Sequence, residues 1–252
     1  MNREFPFLLR DLALVLASLL TAGCALKLPH DSTKLDATAL AAISADDPMT
    51  CRYRKETVHG DPNLHSSWEF IREPQRTESY DGATRQGEIW ERDTQGRLTL
   101  THVFTDEKVA LDYSTGDLKA AGRLPVWASV WSIVDPGLFG KALTLQGKTA
   151  KGGLVLETYA GQLAGVDTKI DWLPALKLPA RIQKTSPTGT DSLSLEQCWP
   201  MAKAPRLPTP ESQLNHYRHI DYSDLGDMET DPIVQKIVAL SGGHAHGSAE
   251  PH

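Results

Sequence analysis

The sequence is poor in cysteine and has no excess of positive charge, and each shortage excludes a class of function. Three cysteines occur among 252 residues and no two are spaced as C-x-x-C, so we expect no dithiol redox centre. Lysine and arginine number 26 against 32 aspartates and glutamates, which gives a formal net charge of −6. Clustered lysine and arginine bind phosphate backbones. We therefore expect no nucleic-acid partner.

The motifs that mark the common enzyme classes are also missing. The chain has no G-x-S-x-G elbow, no H-E-x-x-H zinc motif, no P-loop and no glycine-rich dinucleotide loop. Asp167 and Asp171 alternate with apolar residues, so their carboxylates are expected to face solvent. The sequence therefore predicts a protein that is not an enzyme.

The N-terminus has the pattern of an export signal. Arg3 and Arg10 precede an apolar run at 12–22, which is too short for a relaxed transmembrane helix and has the length of a signal-peptide core. The run ends in Leu-Thr-Ala-Gly-Cys at 20–24, a stretch that resembles the lipobox of bacterial lipoproteins.

This resemblance implies that residues 1–23 are a signal peptide and that Cys24 receives the lipid anchor. Alanine rather than aspartate follows the cysteine, which favours an outer-membrane position facing the periplasm. Two alternatives stay open. An ordinary signal peptide cut near Ala25 would leave a soluble exported protein, and an uncleaved segment would be a retained anchor.

Cys51 and Cys198 are the remaining cysteines. An exported chain meets an oxidising compartment, where an even pair is first interpreted as a disulfide. A loop this long would stabilise the fold by about 4–5 kcal/mol in the chain-entropy treatment. The alternative is two buried free thiols.

We expect residues 24–48 to be a tether between the anchor and the folded domain. From there to residue 200, short runs of alternating apolar and polar residues are separated by turn signals. In the run 98–104, apolar side chains alternate with threonine, which is typical of a half-buried strand. We count about nine to eleven such strands. The pattern predicts a mainly β domain at 49–200, a curved antiparallel sheet forming a half-barrel or open barrel, with one packed or capping helix and short terminal helices.

The meander is interrupted at 124–134, where apolar residues take helical spacing. This spacing predicts a helix with a broad apolar face formed by Trp127, Val130, Trp131 and Val134. The four side chains form either the wall of an apolar ligand site or ordinary core packing. His102, on an inward strand face, is expected to be a hydrogen-bonded core residue.

The layout of an export signal, a long meander, a tryptophan-containing mid-chain segment and further strands resembles the lipoprotein-carrier and receptor half-barrel, the Lol-type fold, over residues 50–199. This resemblance implies that a lipid or other apolar ligand binds between sheet and helix. Sites of this kind are concave and mostly apolar.

Residues 201–252 are predicted to be a proline-rich linker, a short helix and a histidine-rich tail. His244, His246 and His252 form a candidate weak site for Cu or Ni, although a solvated tail explains them equally. Apart from that metal we expect no cofactor. The acidic stretch 221–231 lies within 208–240, which is a candidate docking segment for an envelope protein.

Two functions follow. The leading one is non-catalytic binding of a lipid or other apolar small molecule, in transport or assembly at the outer membrane. The alternative is a protein-interaction accessory subunit of an envelope complex that uses the C-terminal segment.

Overall fold

The computed structural model describes residues 36–58 and 64–242. Strands dominate these ranges. Their bounds are β1 (Met49–Val58), β2 (Leu64–Arg72), β3 (Arg76–Asp81), β4 (Gln86–Arg92), β5 (Leu98–Phe104), β6 (Val109–Tyr113), β7 (Leu143–Lys151), β8 (Leu154–Leu163), β9 (Val166–Leu173), β10 (Leu178–Ser186), β11 (Gly189–Pro200) and β12 (Arg218–Asp221).

All twelve strands belong to one sheet, in the order β12-β6-β5-β4-β3-β2-β1-β11-β10-β9-β8-β7. Neighbouring strands are antiparallel except β12 and β6, which are parallel. Within the described residues β12 and β7 end the sheet and do not pair with each other, so it is open and curved. The predicted fold class is confirmed.

Strand alternation gives the sheet two different faces from β1 to β6. Cys51 lies opposite Phe70, which lies opposite Ser79, and these residues share what we call the front face. Ile71 lies opposite Glu78 on the other side, the back face. Successive side chains of a strand point to opposite faces, so the register fixes which residues can meet.

The helices are short, and several cover the front face. Their bounds are α1 (Ala37–Ala41), α2 (Thr115–Ala120), α3 (Trp127–Trp131), α4 (Glu211–Leu214) and α5 (Pro232–Gly242). Leu118 of α2 and Ile237 of α5 are fully buried with Leu100 and Leu111 of the sheet. Across the described ranges, no helix is both long and apolar enough to span a membrane.

The segment that connects β6 to β7 has to cross the sheet, because these two strands lie near its opposite ends. Contacts of its two tryptophans with Arg72 and Arg92 place it on the front face. The predicted helix at 124–134 is shorter in the structure, where only Trp127–Trp131 is helical. Ile133 takes a positive φ of 66°, which ends the helix. Asp135 precedes a proline and is extended, as the proline ring favours.

The C-terminal part of the chain returns to the sheet. The sequence predicts that the β domain ends at residue 200, whereas β12 at 218–221 adds a further strand beside β6. Residues 201–217, predicted to be a linker, lie between β11 and β12 and contact the back face. We call residues 201–217 the C-terminal strap.

The predicted disulfide between Cys51 and Cys198 is present. The two residues are directly opposite in the β1–β11 pair, with their Cα atoms 4.0 Å apart. Both are buried. The bond therefore links β1 to β11, which are neighbours near the centre of the sheet.

Candidate binding site

Backbone and side-chain hydrogen bonds hold the C-terminal strap against the back face. Thr50 Oγ1 donates to the carbonyl of Arg206 at 2.9 Å, and Arg76 Nη2 donates to the carbonyl of Thr209 at 2.9 Å. The two bonds secure the strap at β1 and at β3. Because proline lacks a backbone N–H and fixes φ, a proline-rich segment stays extended and depends on such contacts for its position.

Glu78 is the main anchor of the strap. The residue is 4% exposed. Its carboxylate accepts from the Thr209 backbone N–H at 2.9 Å and from Thr209 Oγ1 at 2.8 Å. Arg76 Nη2 lies 2.8 Å from the same carboxylate. A buried charge is tolerated only when it is paired and hydrogen-bonded. The Glu78 carboxylate therefore fixes Thr209 in place.

Between the strap and the sheet lies a cavity of about 210 Å³, which we call the strap cavity. Its lining combines apolar, aromatic and polar side chains. Ile89, Val103 and Thr105 come from the sheet, Tyr80 comes from β3, and Arg206, Gln213 and Tyr217 come from the strap.

Gly87 forms part of the cavity lining and is required by the close approach of β3. A Cβ at this position would lie 2.7 Å from the backbone oxygen of Ser79, a distance that real side chains essentially never show. With no side chain at this position, the sheet leaves room under the strap.

The positively charged group of the cavity lining is Arg206. Its guanidinium carbon lies 4.1 Å from the centre of the Tyr80 ring, in cation–π contact, and its Nη1 donates to Glu69 at 3.1 Å. Glu69 also accepts from Arg52 at 3.3 Å. The Glu69 carboxylate thus pairs with two guanidinium groups, so its single negative charge balances only part of their combined positive charge.

Arg85 lies beside the same cavity. Its pKa is raised, chiefly by the side-chain hydrogen bond to Asp106 and then by the nearby Tyr80 and, more weakly, Tyr217 phenols. Arg85 is exposed to solvent, which screens its ion pair with Asp106.

A second cavity, about 300 Å³ in volume, lies over the outer parts of β8, β9 and β10. Gln162, Lys169 and Gln183 are among its lining residues. Among the described residues, its lining comes from these three strands alone.

The predicted apolar wall is divided in the structure. Trp131 donates its ring N–H to the carbonyl of Glu73 at 3.2 Å. The guanidinium carbon of Arg92 lies 4.9 Å from the centre of the Trp127 ring. Val130 is half-buried. Val134 packs elsewhere, in a cluster with Leu143, Ile170 and Trp172. The structure thus brings the two tryptophans of α3 to arginines of the front face and separates Val134 from them.

The other predicted site residues fall into two groups. Cys24, His244, His246 and His252 lie outside the described residues. Among the residues that are described, no three histidine, cysteine, aspartate or glutamate side chains are grouped for a metal ion. His102 is buried, contacts Gln86 at 3.2 Å and stacks on Phe104, as expected of a core histidine.

No protein-family model matches this sequence, and no curated protein matches it either. Solved structures with partial similarity include PNGF-II, at 10% identity and a TM-score of 0.44, covering 73% of this chain and 33% of that one. MucB in its complex with MucA from Pseudomonas aeruginosa has 14% identity and a TM-score of 0.38, covering 73% and 61%.

A LolA-superfamily protein from Nitrosomonas europaea has 7% identity and a TM-score of 0.28, covering 67% of this chain and 90% of that one. The chain spans about a third of PNGF-II and about three fifths of MucB. At these levels of similarity the fold class rests on the sheet topology described above, and no function is carried over.

Proposed function

We propose that this protein is a non-catalytic binding protein of the bacterial envelope, an accessory component that holds a ligand or partner group in the strap cavity. The observation that carries this proposal is the roofed space of about 210 Å³ between the C-terminal strap and the back face. Small-molecule sites are concave, combine apolar surface with a few placed polar groups, and are few per protein. The strap cavity has this composition.

The location of the cavity favours the accessory function over the lipid-carrying one. Gln213 and Tyr217 lie within 208–240, the segment that the sequence marks as a docking region. The lining mixes polar with apolar side chains and the volume is small, whereas an acyl chain requires a long and mainly apolar groove. Anchoring through Cys24 at the outer membrane belongs to the same proposal and would keep the cavity in the periplasm.

Filling the cavity is the direct test. Thr105→Phe adds a ring at a half-buried lining position, and Thr99→Phe makes the same change at an exposed position on the same face of β5. The wild-type protein and both variants are extracted gently from bacterial envelopes and analysed by native mass spectrometry. We expect a non-covalent ligand or partner on the wild type and on Thr99→Phe, and its loss from Thr105→Phe.

Two results would contradict the proposal. One is an adduct that Thr105→Phe retains at the wild-type level. The other is the absence of any non-covalent adduct from all three proteins. Thermal unfolding of each variant shows whether Thr105→Phe is folded, so that a lost adduct is not confused with a lost fold.

Lipid binding remains the second candidate, favoured by aromatic side chains on the front face. Trp68 is half-buried and stacks on Phe70 at 5.7 Å. An adduct in the lipid mass range that Thr105→Phe retains and Trp68→Ala loses would transfer the site from the strap cavity to the front face.

A further inference from the structure

The strap cavity is lined by one group that can only donate hydrogen bonds, the guanidinium of Arg206. Arg206 uses only Nη1, on Glu69, so its other guanidinium donors have no protein partner within the described ranges. The Tyr80 and Tyr217 hydroxyls and the Gln213 amide also have no hydrogen bond to any described residue. The hydroxyls and the amide can donate or accept, whereas a guanidinium only donates, so a ligand group that pairs with Arg206 must bring acceptor oxygens.

The one carboxylate in the lining is already committed. Glu78 accepts from the Thr209 backbone N–H, from Thr209 Oγ1 and from Arg76. Its oxygens are therefore already paired with Thr209 and Arg76, although Glu78 itself lines the cavity. Glu69 supplies one negative charge to Arg206 and Arg52 together, so a ligand anion at Arg206 would balance the second positive charge.

Size and shape restrict the ligand further. An engineered apolar cavity of about 150 Å³ is large enough to bind benzene, and the strap cavity has about 210 Å³. Ile89 and Val103 supply apolar contact, and the Tyr80 and Tyr217 rings supply aromatic walls. One ring, or an aliphatic group of similar size, fits together with one planar acid group.

We propose that the strap cavity binds a small carboxylate carried on an aromatic or similarly sized apolar group, with Arg206 as the residue that recognises the acid. This inference rests on the proposed function. A guanidinium presents its N–H groups as a planar fork that matches the two oxygens of a carboxylate. The stacking of Arg206 on Tyr80 holds this fork at the cavity wall before any ligand arrives.

The test compares benzoate with benzamide, which has the same shape and no charge. Binding is followed by NMR titration of the backbone amides, which locates the ligand as well as measuring its affinity. We expect shifts at residues 87, 103 and 105 and an affinity for benzoate about tenfold or more above that for benzamide, the effect of one charge-assisted hydrogen bond. N-acetylphenylalanine, assayed in parallel, shows whether the carboxylate that ends a peptide chain is accepted too.

Three variants identify the recognising group. Arg206→Gln should reduce benzoate affinity to the benzamide level, and Lys203→Gln, which removes an exposed strap charge outside the lining, should leave it unchanged. Because Arg206 also contacts Glu69, its loss could loosen the strap. Tyr217→Phe removes only a hydroxyl without a protein partner, and we expect it to lower benzoate affinity severalfold with the melting temperature unchanged.

The outcomes separate the ligand class from the proposed function. Equal affinity for benzoate and benzamide, shifts that map outside the cavity, or no binding of either probe would each overturn the carboxylate assignment. Thr105→Phe could abolish the envelope adduct while the protein binds benzoate no more tightly than benzamide. In that case the cavity remains the functional site and only the ligand class is wrong.

Discussion

The guanidinium carbon of Arg72 lies 4.0 Å from the centre of the Trp131 ring, and the same group donates to the carbonyls of Ala45 and Leu176, each at 2.9 Å. Arg72 is 1% exposed. Burial lowers its pKa to about 10, so it remains charged at neutral pH. One buried cation thus links the segment after α1, the β9–β10 turn and α3.

Removing this cation should destabilise the fold strongly. Arg72→Met keeps much of the volume but leaves buried carbonyls without a donor, and each such group costs about 1–3 kcal/mol. We expect the free energy of unfolding, measured with urea, to fall by roughly 2–4 kcal/mol. Arg92→Met is the matched control, since Arg92 stacks on Trp127 but is half-exposed and bonds the Gln75 side chain. A loss no larger than in the control would contradict the role of Arg72 as a link.

The disulfide should contribute through the unfolded chain. Cys51 and Cys198 are 147 residues apart in sequence, and closing a loop of this length stabilises by about 5 kcal/mol in the chain-entropy treatment. We expect Cys51→Ala/Cys198→Ala to lower the free energy of unfolding by a value near this, with the β1–β11 pairing retained in the native state. The check is denaturant unfolding of the variant beside the oxidised protein. A change below about 1 kcal/mol would show that the unfolded chain is already compact around this pair.

The sheet could be predicted because its signal is local. Leu98, Leu100 and Phe104 alternate with Thr99 and Thr101, and in the structure the apolar set is buried while Thr99 is exposed. Side-chain period and turn residues specify such strands without reference to the rest of the chain. The disulfide was predictable for a similar reason, because one even cysteine pair in a chain with a predicted export signal leaves few choices.

The candidate site could not be predicted because it depends on contacts between distant segments. Arg206 and Thr209 stand in a proline-rich stretch that predicts a linker, and only the fold brings them to Glu69 and Glu78, more than a hundred residues earlier. Parallel pairing of β12 with β6 has no local signal in four residues. The helix at 124–134 was overestimated because its apolar spacing says nothing of the positive φ at Ile133.

A histidine fastens β12 and gives its attachment a pH dependence. His219 Nδ1 contacts Asp112 at 2.6 Å and Nε2 contacts the carbonyl of Leu214 at 3.1 Å, so both ring nitrogens donate when the imidazole is charged. The hydrogen bond to Asp112 is the largest cause of a raised pKa for His219. The group binds its proton more tightly in the folded state.

The stabilisation by His219 should therefore be complete below its ordinary pKa of about 6.5 and disappear as pH rises through the raised folded value. We expect less than about 1 kcal/mol, because the pair is partly exposed and screened by solvent. The protection of the Ile220 amide from hydrogen exchange, corrected for intrinsic rates, should be lower at the higher pH. His219→Gln should abolish this trend, and His216→Gln, three residues away and exposed, should keep it. The same pH trend in His219→Gln would assign it to another group.

Loss of the Glu78 anchor should release the C-terminal strap while the sheet stays folded. In Glu78→Ala the Thr209 N–H and Arg76 lose a buried charged acceptor, at a cost of about 2 kcal/mol, which corresponds to roughly a 30-fold rise in local opening. Trypsin should then cut after Lys203 and Arg206 faster by a similar factor, because cleavage follows the open population. Glu91→Ala provides the control, as Glu91 pairs with the same Arg76 but its side chain is 54% exposed. Unchanged cleavage of the strap in Glu78→Ala, with the sheet intact by circular dichroism, would mean that other contacts hold residues 201–217 and that the roof of the strap cavity does not depend on Glu78.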